Sequence, residues 1–298
     1  MTLSPGTEAS EQLLAHARLL ASCRDIYLSA WAERLCDVRA DSRAHRDIHQ
    51  VEQGPGGPWP GWLVPQTRNM AVKLVRQQAD FCVSMGVLVE QGEFFEPIYS
   101  LARSAFEFGL RAYWLLDVDA DLRQRCARGR LMELVSVHHL RDAARDRPDV
   151  AERRAELDAM KRGWKNLKGS VSSMFADVVI DGDPSRWSIE GARYESWTDV
   201  AERWLARGRV AMSGGGLYKH LSVRTHPQGF NATQGFGVSA EGVMTRSTNA
   251  TEVSRLACVV LLTFYLSLTL VASYHGLASQ AVKQMEGEIA NQFPGVFK

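Results

Sequence analysis

The chain has 298 residues, 45% of them hydrophobic and 23% charged, which excludes disorder throughout its length. Lys and Arg number 35 against 34 Asp and Glu, a net charge of +1, so a generally basic surface that coats nucleic acid is excluded while a local arginine cluster is not. The cysteines Cys23, Cys36, Cys82, Cys126 and Cys258 are scattered and include no CxxC pair. That pattern fits reduced, mostly buried thiols in a cytoplasmic protein rather than a disulfide framework or a zinc knuckle.

Residues 1–12 are polar and acidic, without the basic and apolar stretches of a signal peptide. Leu13, Leu14, Ala17, Leu20, Ile26 and Trp31 recur at near-helical spacing, which predicts one long or two joined helices over 9–49. The glycines and prolines of 54–61 cannot be helix and separate a helical N-terminal extension, 1–53, from a helical-bundle domain, 62–298. Helices follow over about 67–89, with Gly92 as its stop, and over 97–116, with Pro97 in its first turn. Asp119 or Asp121 starts another, which Pro148 ends.

Residues 149–178 form a strongly charged helix, with Val178, Val179 and Ile180 as at most one short strand, and 181–196 is a loop. Thr198 caps a helix to about Met212, and a short helix runs from Leu217 to about Thr225. Between them, Ser213-Gly214-Gly215-Gly216 suits a hinge better than a phosphate seat. A second glycine-rich loop covers 227–248. From Asn249, with Glu252 three residues on, the last helix is apolar to about Leu277 and amphipathic to Gln292. Leu256–Ala278 holds no Asp, Glu, Lys or Arg and is long enough to span a bilayer, but it has no flanking aromatic belt or basic loop. The favoured reading is the central helix of the core. The fold class is therefore all-α: a helical bundle with a long apolar C-terminal central helix and a helical N-terminal extension.

Two polar stripes stand out. Arg103, Glu107 and Arg111, at i, i+4 and i+8, share one face of an otherwise apolar helix. A carboxylate held between two guanidiniums stays ionised and leaves donors for an anion. Tyr218, Ser222 and His226 repeat that spacing, with Thr225 and Lys219 beside them, and the imidazole could move a proton near neutral pH. Both stripes also fit a buried hydrogen-bond network that ties two helices. The pairs Arg39 with His45 and Arg43 with His49 occur as often as chance allows. His138 and His139 are adjacent and point apart, so no paired metal ligation follows. No metal site and no cofactor motif is found.

The run Arg103-Ser-Ala-Phe-Glu107-Phe-Gly-Leu-Arg111-Ala-Tyr-Trp114-Leu-Leu-Asp117, then Arg123, Arg125 and Arg128, and later Tyr218-Lys-His-Leu221-Ser222-Val-Arg-Thr-His226, resembles a family of uncharacterised helical proteins common in actinobacteria. The resemblance spans about 67–280. That family is distantly similar to the HEPN-like bundles, some of which are RNases or toxin-type effectors. The resemblance implies a nucleotide- or RNA-directed effector in which His226 is the base, Arg103 and Arg111 clamp phosphate with Glu107 between them, and Tyr218 and Ser222 bind. No well-placed Arg-x4–6-His accompanies His226, a departure from the RNase pattern. The alternatives from the residues themselves are a non-enzymatic binding or regulatory module working through a protein partner, in which both stripes are satisfied internally, and a membrane-associated effector. A homodimer is a further expectation, since long amphipathic helices pair.

Overall fold

The structure, a computed structural model, describes residues 8–32, 38–92, 96–145, 151–210, 212–225, 236–238, 244–246 and 250–297. Its helices are α1 (Glu8–Ala32), α2 (Arg43–His49), α3 (Leu63–Glu90), α4 (Glu96–Leu116), α5 (Leu122–Arg145), α6 (Ala151–Met174), α7 (Trp197–Arg207), α8 (Gly214–Thr225), α9 (Ala250–His275) and α10 (Gln280–Gln292). The fold is an all-α helical bundle with a long apolar helix, α9, near its C-terminus. The strands are short antiparallel additions: β1 (Gln53–Gly54) with β2 (Gly57–Pro58), β3 (Val178–Val179) with β4 (Ser188–Ile189) and β5 (Ala192–Arg193), and β6 (Phe236–Val238) with β7 (Met244–Arg246).

Several boundaries differ from the sequence reading, each for a local reason. The stretch expected to be non-helical is a hairpin whose turn carries Gly57 at φ +110. The helix after it starts at Leu63, earlier than Thr67, because Pro65 needs no backbone donor in a first turn. Asp121 is the residue that starts α5. Gln124 N–H donates to its carboxylate at 2.8 Å, and Asp121 N–H donates back to Gln124 Oε1 at 3.2 Å, a reciprocal cap. The charged helix ends at Met174, and part of the 181–196 loop forms β4 and β5. The helix expected to reach Met212 stops at Arg207, followed by Gly208 and by Arg209 at φ +52. The long final helix is two. Gly276, at φ +72, turns the chain, and a Cβ there would sit 3.0 Å from Ser42 Cβ and 3.2 Å from Arg39 Cβ. The expected cap at Asn249 lies outside the described residues, as does Cys36. The described cysteines are buried free thiols.

Contacts group the chain into two units. The first takes residues 1–42, 72–113 and 196–298. In it α1 packs on α9 and α10, and α7 on α8. The most apolar window of α9 has a mean hydropathy of 2.2 and is 78% buried, as in a core helix. Phe106 and Tyr113 of α4 lie 5.8 and 5.9 Å from the Trp204 ring of α7. The second unit takes 43–71 and 114–195 and is tied by arginines. Arg123 bridges Glu52 and Glu190, each at 2.8 Å, with its guanidinium 4.9 Å above Trp59. Arg125 pairs with Asp47 at 2.5 Å, both buried, and donates to the Ala120 carbonyl.

Within the first unit His16, fully buried on α1, joins α9 and α10. Its Nδ1–H donates to Gln292 Oε1 at 2.7 Å, the Ser254 hydroxyl donates to Nε2 at 2.9 Å, and Phe293 stacks on the ring at 4.4 Å. Burial lowers its pKa below the ordinary 6.5, and the Gln292 hydrogen bond opposes this only in part. The unfolded chain therefore binds this proton more readily than the folded one. The stability from a neutral His16 is complete above about pH 6.5 and is lost as pH falls through the folded pKa. Urea midpoints measured from pH 7.5 down to 5.5 should fall more steeply for wild type than for His16→Gln. Equal slopes would remove His16 as the cause.

Candidate functional site

Arg103, Glu107 and Arg111 sit one turn apart on α4, and all belong to the first unit. Glu107 Oε1 accepts from Arg103 Nε at 2.9 Å and from the Tyr218 hydroxyl at 3.4 Å, and Oε2 accepts from Arg111 Nη1 at 3.2 Å. Arg103 Nη1 reaches across to donate to Thr225 Oγ1 of α8 at 2.6 Å. That hydroxyl in turn donates to the Leu221 and Ser222 carbonyls. Arg111 lies with its guanidinium 5.0 Å from the Trp197 ring centroid. The side chains of Arg103, Glu107 and Arg111 are 24%, 19% and 26% exposed, so the cluster lines the edge of the core and still meets water.

The electrostatics follow from this geometry. Burial works against the charge on Arg103, but the hydrogen bond and charge of Glu107, with Tyr218, outweigh it and move the pKa up. Burial, then the charge of Glu107, raises the Tyr218 phenol above its ordinary range, so it stays a donor. Two guanidiniums share one carboxylate, which leaves the cluster with one excess positive charge and with guanidinium N–H groups still facing solvent.

The sequence-predicted residues do not all join this cluster. Tyr218 does. Ser222 does not: its hydroxyl is closed to solvent and has no hydrogen-bond partner among the described residues. His226 lies outside the described residues. On another side of α8, Arg224 pairs with Glu252 at 3.3 Å and covers the Tyr99 ring at 5.3 Å, and His220 Nε2 lies 3.9 Å from Glu252. Thr225 was a bystander in the sequence and is the residue that fastens Arg103 to α8.

The glycine run has a different role from the hinge expected of it. Gly214–Gly216 form the first turn of α8. Their amides are already occupied: Glu202 Oε2, from α7, accepts from Gly215 N–H at 2.7 Å and from the Ser213 hydroxyl at 2.9 Å, while Gly216 N–H donates to Ser213 Oγ at 3.1 Å. The Gly215 and Ser213 bonds hold the Glu202 carboxyl below its usual range. The anion at this helix terminus is thus the protein's own side chain.

The remaining candidates are structural in the second unit. Arg128 pairs with Asp117 at 3.4 Å and Glu195 at 3.8 Å and donates to the Trp114 carbonyl at 2.7 Å. Arg43 donates to the Val118 and Ala120 carbonyls at 2.8 and 2.6 Å. Nε2–H of His138 faces Asp142 Oδ2 at 3.1 Å, while Arg141 Nη2 donates to His138 Nδ1, also at 3.1 Å. Among the described residues no group of three His, Cys, Asp or Glu could hold a metal ion.

One feature escaped the sequence reading. A groove of about 480 Å³ runs between α1 and α10 in the first unit, lined from Ala15 to Ser29 on one side and from Ala281 to Gln292 on the other. The signal that would have found it is the second periodicity of α1, a seven-residue repeat beside the core stripe. Compared with known proteins, the chain matches no family model, no curated protein and no solved structure.

Proposed function

We propose that this chain is a non-enzymatic binding module that holds a phosphate-bearing ligand, a nucleotide or an RNA, on the face shared by α4 and α8. The observation that carries this reading is the unequal charge of the cluster: Arg103 and Arg111, each about a quarter exposed, against the single carboxylate of Glu107. Glu107 fixes the two guanidiniums in place without using all their donors, which suits recognition of a further anion. Among the described residues proton transfer has no such support, since both Glu107 oxygens are taken by donors and Tyr218 keeps its proton. On this reading the chain is a binding form of the HEPN-like bundles that its two motifs resemble, acting in the cytoplasm.

The test is a metal-free titration of purified protein with ATP and, separately, with mixed single-stranded RNA, following the melting temperature and strand integrity. A ligand that binds only the folded state raises that temperature. ATP or RNA should do so for wild type and leave the strand intact. Arg111→Ala, which loses a charge-assisted hydrogen bond to the ligand, should bind about tenfold or more weakly. The idea fails if neither probe shifts the transition. Cleavage of RNA by wild type but not by His226→Ala would replace it with the effector reading and restore His226 as the base.

A further inference from the structure

α1 carries two periodicities. Leu13, Ala17, Leu20, Tyr27 and Trp31 are buried and form its core stripe. A second set repeats every seven residues: Ala15, Ser22 and Ser29; Leu19 and Ile26; Arg18 and Asp25. Seven residues are close to two full turns, so each series stays on one side of the helix. All of these residues line the groove with α10. Its floor is apolar, with Leu19 and Met285 buried and Ile26 half-buried. Arg18 and Asp25 stand exposed on its rim, and neither has an ion-pair partner among the described residues.

We infer that this groove is a self-association surface, filled by α1 of a second copy of the chain crossing antiparallel at Ser22. The face of α1 is complementary in charge to a second copy of itself. Ser22 lies four residues after Arg18 and three before Asp25, about 6 and 4.5 Å along the helix. A two-fold axis at Ser22 therefore brings Arg18 to within about 1.5 Å, along the axis, of the level of the partner's Asp25, and the symmetry repeats the pair. A parallel crossing in the same register would set like charges against each other, so the sequence of α1 selects the antiparallel one. Small Ser22 at the crossing, with Ala15 and Ser29 two turns to either side, lets the two backbones approach.

The extent is also adequate. Helix α1 has 25 residues and is about 37 Å long. The neighbouring α10 has 13 residues and is about 20 Å long, so at about 10 Å of width each the two helices present about 570 Å² per partner, or about 1,100 Å² over both, just above the ~1,000 Å² that a specific interface needs. The inference is independent of whether the α4–α8 face binds phosphate.

The experiment is light scattering on the full chain across a concentration series, with Arg18→Glu, Asp25→Arg and the double exchange R18E/D25R. Wild type should give twice the 33.2 kDa chain mass at the upper concentrations. Each single reversal sets two like-charge pairs in the interface and should give the monomer mass. The double exchange restores both pairs in reversed sense and should return the dimer. Both positions are exposed, and equal far-UV circular dichroism of all four proteins excludes unfolding as a cause. A wild-type chain that stays monomeric at its highest soluble concentration overturns the inference. So does a dimer unaffected by Arg18→Glu, or a double exchange that remains monomeric.

Discussion

Phe264→Ala should lower the unfolding free energy by about 4 kcal/mol, among the largest losses of any single truncation in this chain. Phe264 is fully buried in the middle of α9, between Val260, Leu261 and Leu268, which are buried too. Truncation removes the transfer free energy of the ring and leaves a cavity that helices on several sides cannot close. Urea unfolding should show a lower midpoint with an unchanged slope, since the surface exposed on unfolding stays nearly the same. A loss under about 1 kcal/mol would mean that α9 is not the packed centre of its unit.

The second large effect is expected at Gly214. A Cβ on this residue would fall onto the Ala201 carbonyl group and 2.8 Å from the Glu202 nitrogen. Those atoms are backbone of α7 and cannot rotate away as a side-chain tip can. Gly214→Ala must therefore push α8 off α7, at a cost of about 3 kcal/mol, the upper range for overpacking a fitted interface. The same displacement would draw Gly215 N–H away from Glu202 and Thr225 away from Arg103, so anion binding on the α4–α8 face should weaken along with stability. Gly216→Ala is the control, because its Cβ would meet nothing closer than Ser213 Oγ at 3.3 Å. Since alanine is the better helix former, Gly216→Ala should be neutral or slightly stabilising, and near-equal changes in the two variants would remove the close approach of α7 and α8 as the cause.

Within each helix the sequence was legible because the forces involved are local. The near-helical recurrence of Leu13, Ala17, Leu20 and Trp31 located α1, and start and stop residues located α3, α4 and α5. Gly92 placed the end of α3 and Pro97 the start of α4 within a few residues, because a left-handed turn or a missing donor acts on its own segment. The Arg103–Glu107–Arg111 stripe was legible for the same reason: i, i+4 neighbours meet in any helix. Apart from Val178–Val179, where one short strand was expected, the strands were missed because two-residue pairings carry no periodicity, and the break at Gly276 was missed because both flanking segments are good helix.

The sequence by itself determined the all-α class, the apolar character of α9 and the polar pattern on α4. Only the tertiary structure decided what those faces meet. Arg103 binds Thr225, 122 positions away, rather than the Ser222 of the predicted stripe. Glu202, not a foreign anion, fills the amides of α8. Residues 1–42 join 72–113 and 196–298 in one unit, and a groove opens beside α1. The physical reason is range: helix formation is fixed by interactions within four residues, whereas the choice of partner depends on shape and charge complementarity between surfaces that are adjacent only after folding.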